Sequence, residues 1–138
     1  METACQYDSV VIAPSFLERI LDQARSLVPQ ECCGVLGGRG SVVTSVYALT
    51  NDSKAENEFF ANLKELFDAI RSMRNKNEEM IGIYHSHPSG PPEPSPSDVE
   101  RNYYPGLFYL IVSLEGRESR TKCFIMSENR TFSPIQIV

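Results

Sequence analysis

His85 and His87 are the only histidines in the 138-residue chain, and a single serine separates them. In a strand, residues i and i+2 face the same side, so the pair aims two imidazoles at one point. Seven residues, Pro88 to Pro94, lead from there to Ser95-Pro96-Ser97-Asp98. Two imidazoles, a carboxylate and a water make a four-coordinate zinc whose water site stays open to substrate, as catalytic zinc requires. Such a metal brings the pKa of its water from about 16 down to about 7. Hydrolysis by that route also needs a general base to carry the proton to the leaving group. Glu31, entering the run Cys32–Leu36, is a candidate beside Glu18, Glu56, Glu58 and Glu100, and spacing alone does not choose among them.

Each residue also has a purely structural reading. A single histidine on an apolar row is ordinary in a core, but a pair at i and i+2 with a carboxylate following favours a metal. Ser95 suits a helix N-cap, Pro96 the first helical position and Asp98 the first turn, with or without a metal nearby. The two readings of Ser95–Asp98 are compatible. A helix start would fix Asp98 and leave Ser95 beside the open face of the metal. The loop Ser89-Gly90-Pro91-Pro92-Glu93-Pro94 is stiffened by prolines and reads as a rigid site wall rather than a polyproline docking motif.

The elements that must position these groups follow from pattern. Tyr7 to Ala13 reads as an opening strand. Pro14-Ser15-x-x-Glu18 has the form of a capping box, with Phe16, Leu17, Ile20, Leu21, Ala24, Leu27 and Val28 at helical spacing until Pro29 ends the helix. Cys32–Leu36, a turn at Gly37-Gly38-Arg39-Gly40, and valine-rich Ser41–Leu49 read as a β-hairpin. No phosphate-binding glycine pattern fits that turn. Asn51 to Asn57 is polar and turn-like. Asn62-x-x-Glu65 is a second capping box, opening a helix whose buried stripe is Leu63, Leu66, Phe67, Ile70 and Met73. Met80 to His87 is a strand in which Ile81, Ile83, His85 and His87 share one core-facing parity. Leu107 to Leu114 is apolar on both faces, as a central strand is. Gly116 marks a turn, and Arg120–Met126 and Thr131–Val138 supply two more strands. The order β-α-β-β-α-β-α-β-β-β predicts a mixed sheet with helices packed on it, an α/β (α+β) fold in a single domain over 1–138.

The bulk properties agree with such a domain. Hydrophobic residues make up 41% and charged residues 22%, which supports an ordinary core without staples. A net charge of −5 gives no electrostatic reason to expect nucleic acid or an anionic membrane. Neither a signal peptide in Met1–Ala13 nor an apolar span of bilayer length is visible, so a cytoplasmic protein is expected. Cys5, Cys32, Cys33 and Cys123 lack metal-type spacing. Reduced, buried thiols are expected, although one of the adjacent pair could approach Cys123.

Glu31, His85-Ser86-His87-Pro88 and Ser95-x-x-Asp98 together resemble the JAMM (MPN+) metalloprotease motif: Glu, a long gap, His-(Ser/Thr)-His, seven residues, Ser-x-x-Asp. Pro29-x-Glu31-x-Cys33-Gly34-x-Leu36-x-Gly38 and Tyr84-His-Ser-His-Pro are similar to its short prokaryotic branch, and the likeness spans nearly the whole chain. The resemblance implies a curved mixed sheet flanked by helices, of the MPN/JAMM (cytidine-deaminase-like) architecture. It implies one zinc ion held by His85, His87 and Asp98 with a water as fourth ligand, Glu31 as general base and Ser95 as oxyanion donor. It also implies cleavage after the C-terminal Gly-Gly of a ubiquitin-like or sulfur-carrier protein. The chain is too short for the insertions by which eukaryotic relatives choose ubiquitin linkages. The rival expectation is a non-catalytic MPN-type scaffold in a larger assembly; such relatives usually lack ligands, and none is missing here. A nucleobase deaminase is disfavoured by the absence of its H-x-E and P-C-x-x-C signature, and a histidine-triad hydrolase by the lack of a third histidine.

Overall fold

A computed structural model describes residues 7–101, 104–117 and 119–138. The elements run β1 (Ser9–Val10), α1 (Pro14–Leu27), β2 (Cys33–Arg39), β3 (Val42–Leu49), α2 (Leu63–Asn75), β4 (Glu79–His87), α3 (Pro96–Arg101), β5 (Phe108–Ser113), β6 (Arg120–Met126) and β7 (Phe132–Ile137), the order expected from the sequence. The strands form one seven-stranded mixed sheet in the order β1-β7-β6-β5-β4-β2-β3. β4 and β5 are parallel, β1 and β7 are parallel, and the remaining pairs are antiparallel. β5 lies at the centre with all six residues buried, as its unbroken apolar run requires.

The sheet curls until its edges meet. β1 pairs with β7, and Val11 then donates to Ser41 O (2.8 Å) and accepts from Val43 N (2.9 Å) beside the far edge strand, β3. Residues 8–12 therefore stitch one edge to the other. The opening strand is shorter than the Tyr7–Ala13 pattern suggests, because sharing its hydrogen bonds between two edges leaves it only two residues of regular ladder.

Each face of the sheet carries one helix. Ile20 and Ala24 of α1 pack on Leu36, Tyr84, Leu110, Val112 and Cys123, whereas Ala69 and Met73 of α2 pack on Val35, Ile83, Tyr109, Ile111 and Phe124. The β2–β4 register shifts between Leu36 and Gly37, leaving Ile81 of β4 as the extra, unpaired residue, and Ile81 falls in the α1 cluster. The row that leads to the histidines is thus Ile83, His85, His87, one residue shorter than parity suggests.

Other local expectations shift for identifiable reasons. Pro14 takes the first helical position, so α1 is capped by Ala13 with no side-chain hydrogen bond and the Ser15 box does not form. Asn62 does accept from Glu65 N (3.0 Å), but the Glu65 carboxylate turns to Thr50 N and Oγ1 instead of closing the box. Leu63 and Phe67, expected in the core, are 58% and 60% exposed because α2 turns Leu66, Ala69 and Met73 to the sheet and leaves these two on the flank of that stripe. Leu27 and Val28 are exposed as well. Gly37 and Gly38 belong to β2, opposite a bulge at Thr44 of β3. The hairpin turn falls at Gly40, whose φ of +59° is the left-handed conformation glycine tolerates. Cys32, Cys33 and Cys123 are buried and unpaired, with burial pushing their thiols up to about 11, 12 and 12; Cys5 lies outside the described residues.

Candidate metal centre

β4 delivers the two histidines from its last three residues. The strand is buried on both faces here, so His85 and His87 point to the α2 side while Ser86 points to the other. Ser86 N donates to Cys32 O (3.1 Å), and in the return bond Cys32 N donates to Ser86 Oγ (2.8 Å). A side-chain oxygen stands where the antiparallel ladder would use a carbonyl. β2 and β4 are tied at the point where Glu31 leaves the sheet.

Asp98 arrives from α3. Ser95 Oγ accepts from Asp98 N (3.1 Å), and Asp98 Oδ2 accepts from Ser95 N (2.9 Å), a reciprocal cap that locks the carboxylate's rotamer. The same Oδ2 lies 3.1 Å from Nε2 of His85 and 3.1 Å from Nε2 of His87, and those two nitrogens are 3.0 Å apart. His87 Nδ1 donates to Pro91 O (2.8 Å), so the ring donates from Nε2 to Asp98 when protonated and turns an Nε2 lone pair into this cluster when neutral. An imidazole whose second nitrogen is tied to a backbone carbonyl is a common outer support for a metal ligand. His85 has no such support: its Nδ1 is buried with no hydrogen-bond partner among the described residues. Its ring is held by packing instead, stacked on Phe59 at 4.8 Å and 27° and tilted against Tyr109 at 5.2 Å.

The electrostatics match three donors gathered around one point. Burial favours the protonated carboxyl of Asp98, but hydrogen bonds from both histidines overcome it and hold the group well below the usual carboxylate range. Burial also lowers the pKa of His85, keeping it neutral, despite Asp98. For His87 burial acts downward too, yet Asp98 and Pro91 O outweigh it and raise the pKa. Two nitrogens and a carboxylate oxygen packed at 3.0–3.1 Å repel one another unless a cation or proton lies between them. Donors on a single zinc would stand about 3.3 Å apart at tetrahedral angles. The residues present fit a zinc ion, and they are the one metal-competent group among the described residues.

Of the five candidate bases, Glu31 is the one buried at this centre. It is 3% exposed, and its Oε1 has no hydrogen-bond partner among the described residues. Burial first, then the charge of Asp98, pushes its carboxyl up to about 8, with His87 opposing. Glu31 and His87 border a cleft of about 390 Å³ walled by Pro88–Pro91 and Glu93–Pro96 on one side and by Glu56 and Asn57 on the other. The proline-rich loop is thus a wall, as anticipated. Glu56 reaches the cleft but is exposed. Glu58 is paired with Arg101, and Glu18 and Glu100 are exposed on α1 and α3.

Sequence reasoning missed the loop 51–62 as part of the site. Its one local signal was Phe59-Phe60, an aromatic pair stranded in a polar stretch; the first stacks on His85 and the second is 57% exposed.

Comparison with known proteins gives a consistent set. Residues 13–124 match a family described as prokaryotic homologs of the JAB domain. The chain is 32% identical over 130 residues to a desampylase of Pyrococcus furiosus, covering 94% of this chain and 91% of that protein. It is 30% identical over 106 residues to a CysO-cysteine peptidase of Mycobacterium tuberculosis, covering 75% and 73%. The solution structure of protein DSY2949 from Desulfitobacterium hafniense superimposes with a TM-score of 0.85 at 33% identity, over 94% of this chain and 91% of that one.

Proposed function

The chain belongs to the prokaryotic JAB branch of the JAMM/MPN+ family, and on that premise we propose a zinc-dependent peptidase or isopeptidase that cleaves after the C-terminal Gly-Gly of a ubiquitin-like or sulfur-carrier protein. It is a hydrolase. Relatives named desampylase and CysO-cysteine peptidase support that reaction class, and a cytoplasmic location suits such substrates. No helix among the described residues is long and apolar enough to cross a membrane. What supports the reading is the convergence of His85, His87 and Asp98 next to a buried Glu31, whose Oε1 has no hydrogen-bond partner among the described residues, at the edge of an open cleft.

His85, His87 and Asp98 would hold the metal. Bound there, zinc would supply Lewis acidity, bringing the pKa of water down towards about 7. Glu31 takes the proton of the attacking water and passes it to the leaving amine. Burial raises its carboxyl to about 8 in the metal-free protein, and the charge of a bound zinc would lower it from there; a general acid–base works best when its pKa lies near the working pH. Ser95 spends only its oxygen lone pair on the helix cap, so its hydroxyl proton is free to reach the developing oxyanion. A cleft of about 390 Å³ has room for an extended segment of chain and not for a folded surface, which suits a Gly-Gly tail.

The test is intact-mass analysis of ubiquitin-fold carriers extended past Gly-Gly, incubated with zinc-loaded protein and with Glu31→Gln. Cleavage directly after Gly-Gly is expected for the wild type, with Glu31→Gln slower by at least ~100-fold. Equal rates for the two proteins would remove Glu31 as the base.

A further inference from the structure

Asn51 sits outside the metal centre, yet its amide makes four hydrogen bonds. Nδ2 donates to Glu31 O (2.9 Å) and to Glu58 O (3.2 Å). Oδ1 accepts from Ser53 N (2.9 Å) and from Phe60 N (2.9 Å). An amide side chain has two N–H donors and two strong acceptor sites, so every one is used. The partners are the backbone of the proposed base and the two ends of the loop that carries Phe59. Phe59 is stacked on His85, and Glu58 is paired through its side chain with Arg101, the last residue of the helix that presents Asp98. Through Phe59 and Glu58, one side chain therefore joins the three separate segments from which the base and the three metal-binding groups come.

Resting on the functional reading of the metal centre, we propose that Asn51 is a positioning residue for the reaction: it fixes Glu31 relative to His85 by pinning both to the loop 51–62. It touches neither substrate nor metal. The backbone of Glu31 needs such a tie because the residue precedes β2 and has no ladder partner of its own. His85 needs it because ring packing, not a hydrogen bond on Nδ1, sets its orientation. Misplacing a reacting group by about 1 Å costs on the order of 100-fold in rate.

The experiment compares N51A with N62A, which removes a helix cap eleven residues on and a bond to Asp52 Oδ2 across the same loop, but no bond to Glu31 or to the residues flanking Phe59. Two readouts are taken at a temperature where each variant is folded: kcat and KM on a Gly-Gly-extended carrier, and the imidazole 15N–1H correlations of the metal-free protein, which has only two histidines. N51A is expected to lose ~10- to 100-fold in kcat with KM within about 3-fold, and to shift the His85 resonances; N62A is expected to do neither. If N51A does not fold, N51D replaces it, because aspartate keeps the acceptor for Ser53 and Phe60 while donating to neither Glu31 nor Glu58. Wild-type kcat and unmoved imidazoles in the asparagine variant would overturn the proposal, as would N62A reproducing both effects. A wild type that cleaves no carrier would count against the functional reading alone, since the imidazole spectra still decide the role of Asn51.

Discussion

At the scale of single residues, the centre trades stability for chemistry. Glu31 ionises near pH 4.5 when exposed and near 8 in the folded, metal-free protein. Between those values the folded state binds more protons than the unfolded one, so stability falls as pH rises from about 4.5 to about 8 and then levels. Glu31→Gln removes that slope. Thermal melts of the metal-free proteins should show the variant gaining on the wild type as pH rises, by roughly 4 °C or more at pH 8; parallel Tm curves would refute the burial argument. Ser95 serves two masters in the same way. Ser95→Ala should lower stability by about 1 kcal/mol through the lost cap and kcat by roughly 100-fold through the lost oxyanion donor. Denaturant unfolding and turnover, measured on the same preparation, separate the two, and a change in stability alone would remove Ser95 from the reaction.

At the scale of elements, the site is a junction between strand ends. Ser86 shows how it is fastened: its hydroxyl accepts the buried Cys32 N–H, so β2 and β4 stay joined where the ladder would otherwise part. Ser86→Ala leaves that amide unsatisfied and should cost about 1–3 kcal/mol in chemical denaturation, with Ser86→Thr restoring most of it. A threonine no better than alanine would mean the hydroxyl is not what matters. Gly34 belongs to the same junction. A Cβ there would come within 2.2 Å of the Tyr84 ring, whose hydroxyl donates to Gln23 Oε1 and so ties α1 to β4. These fastenings explain what the sequence could and could not say. His85, His87, Ser95 and Asp98 fall within one short window, where strand alternation and helix capping are local rules and can be read directly. Glu31 lies more than fifty residues away, and only its likeness to a family motif singled it out. Asn51 looked like any turn residue, because its four partners meet only once the chain has folded. Leu63 and Phe67 kept helical spacing, but spacing does not reveal which side of a wide apolar stripe meets the sheet.

At the scale of the whole molecule, the curl of the sheet sets the frame in which the site and its fastenings sit. Both faces of β5 are buried, and residues 8–12 pair along β7 and bridge to the start of β3 at Val42. The closure hangs on few bonds, of which Val11 supplies two. Val11→Pro deletes the one that Val11 donates to Ser41 O. Stopped-flow unfolding should become several-fold faster, with little change in folding rate if the seam forms late; an unchanged unfolding rate would show the seam to be incidental. The seam bears on lifetime as much as on architecture. When it opens, β1 stays on β7 but its free side and the start of β3 are exposed together, and each is a template for pairing with another chain. The persistence of this protein in a crowded solution is then governed by how often one short latch lifts, and strengthening that latch would lengthen its working life without touching the site.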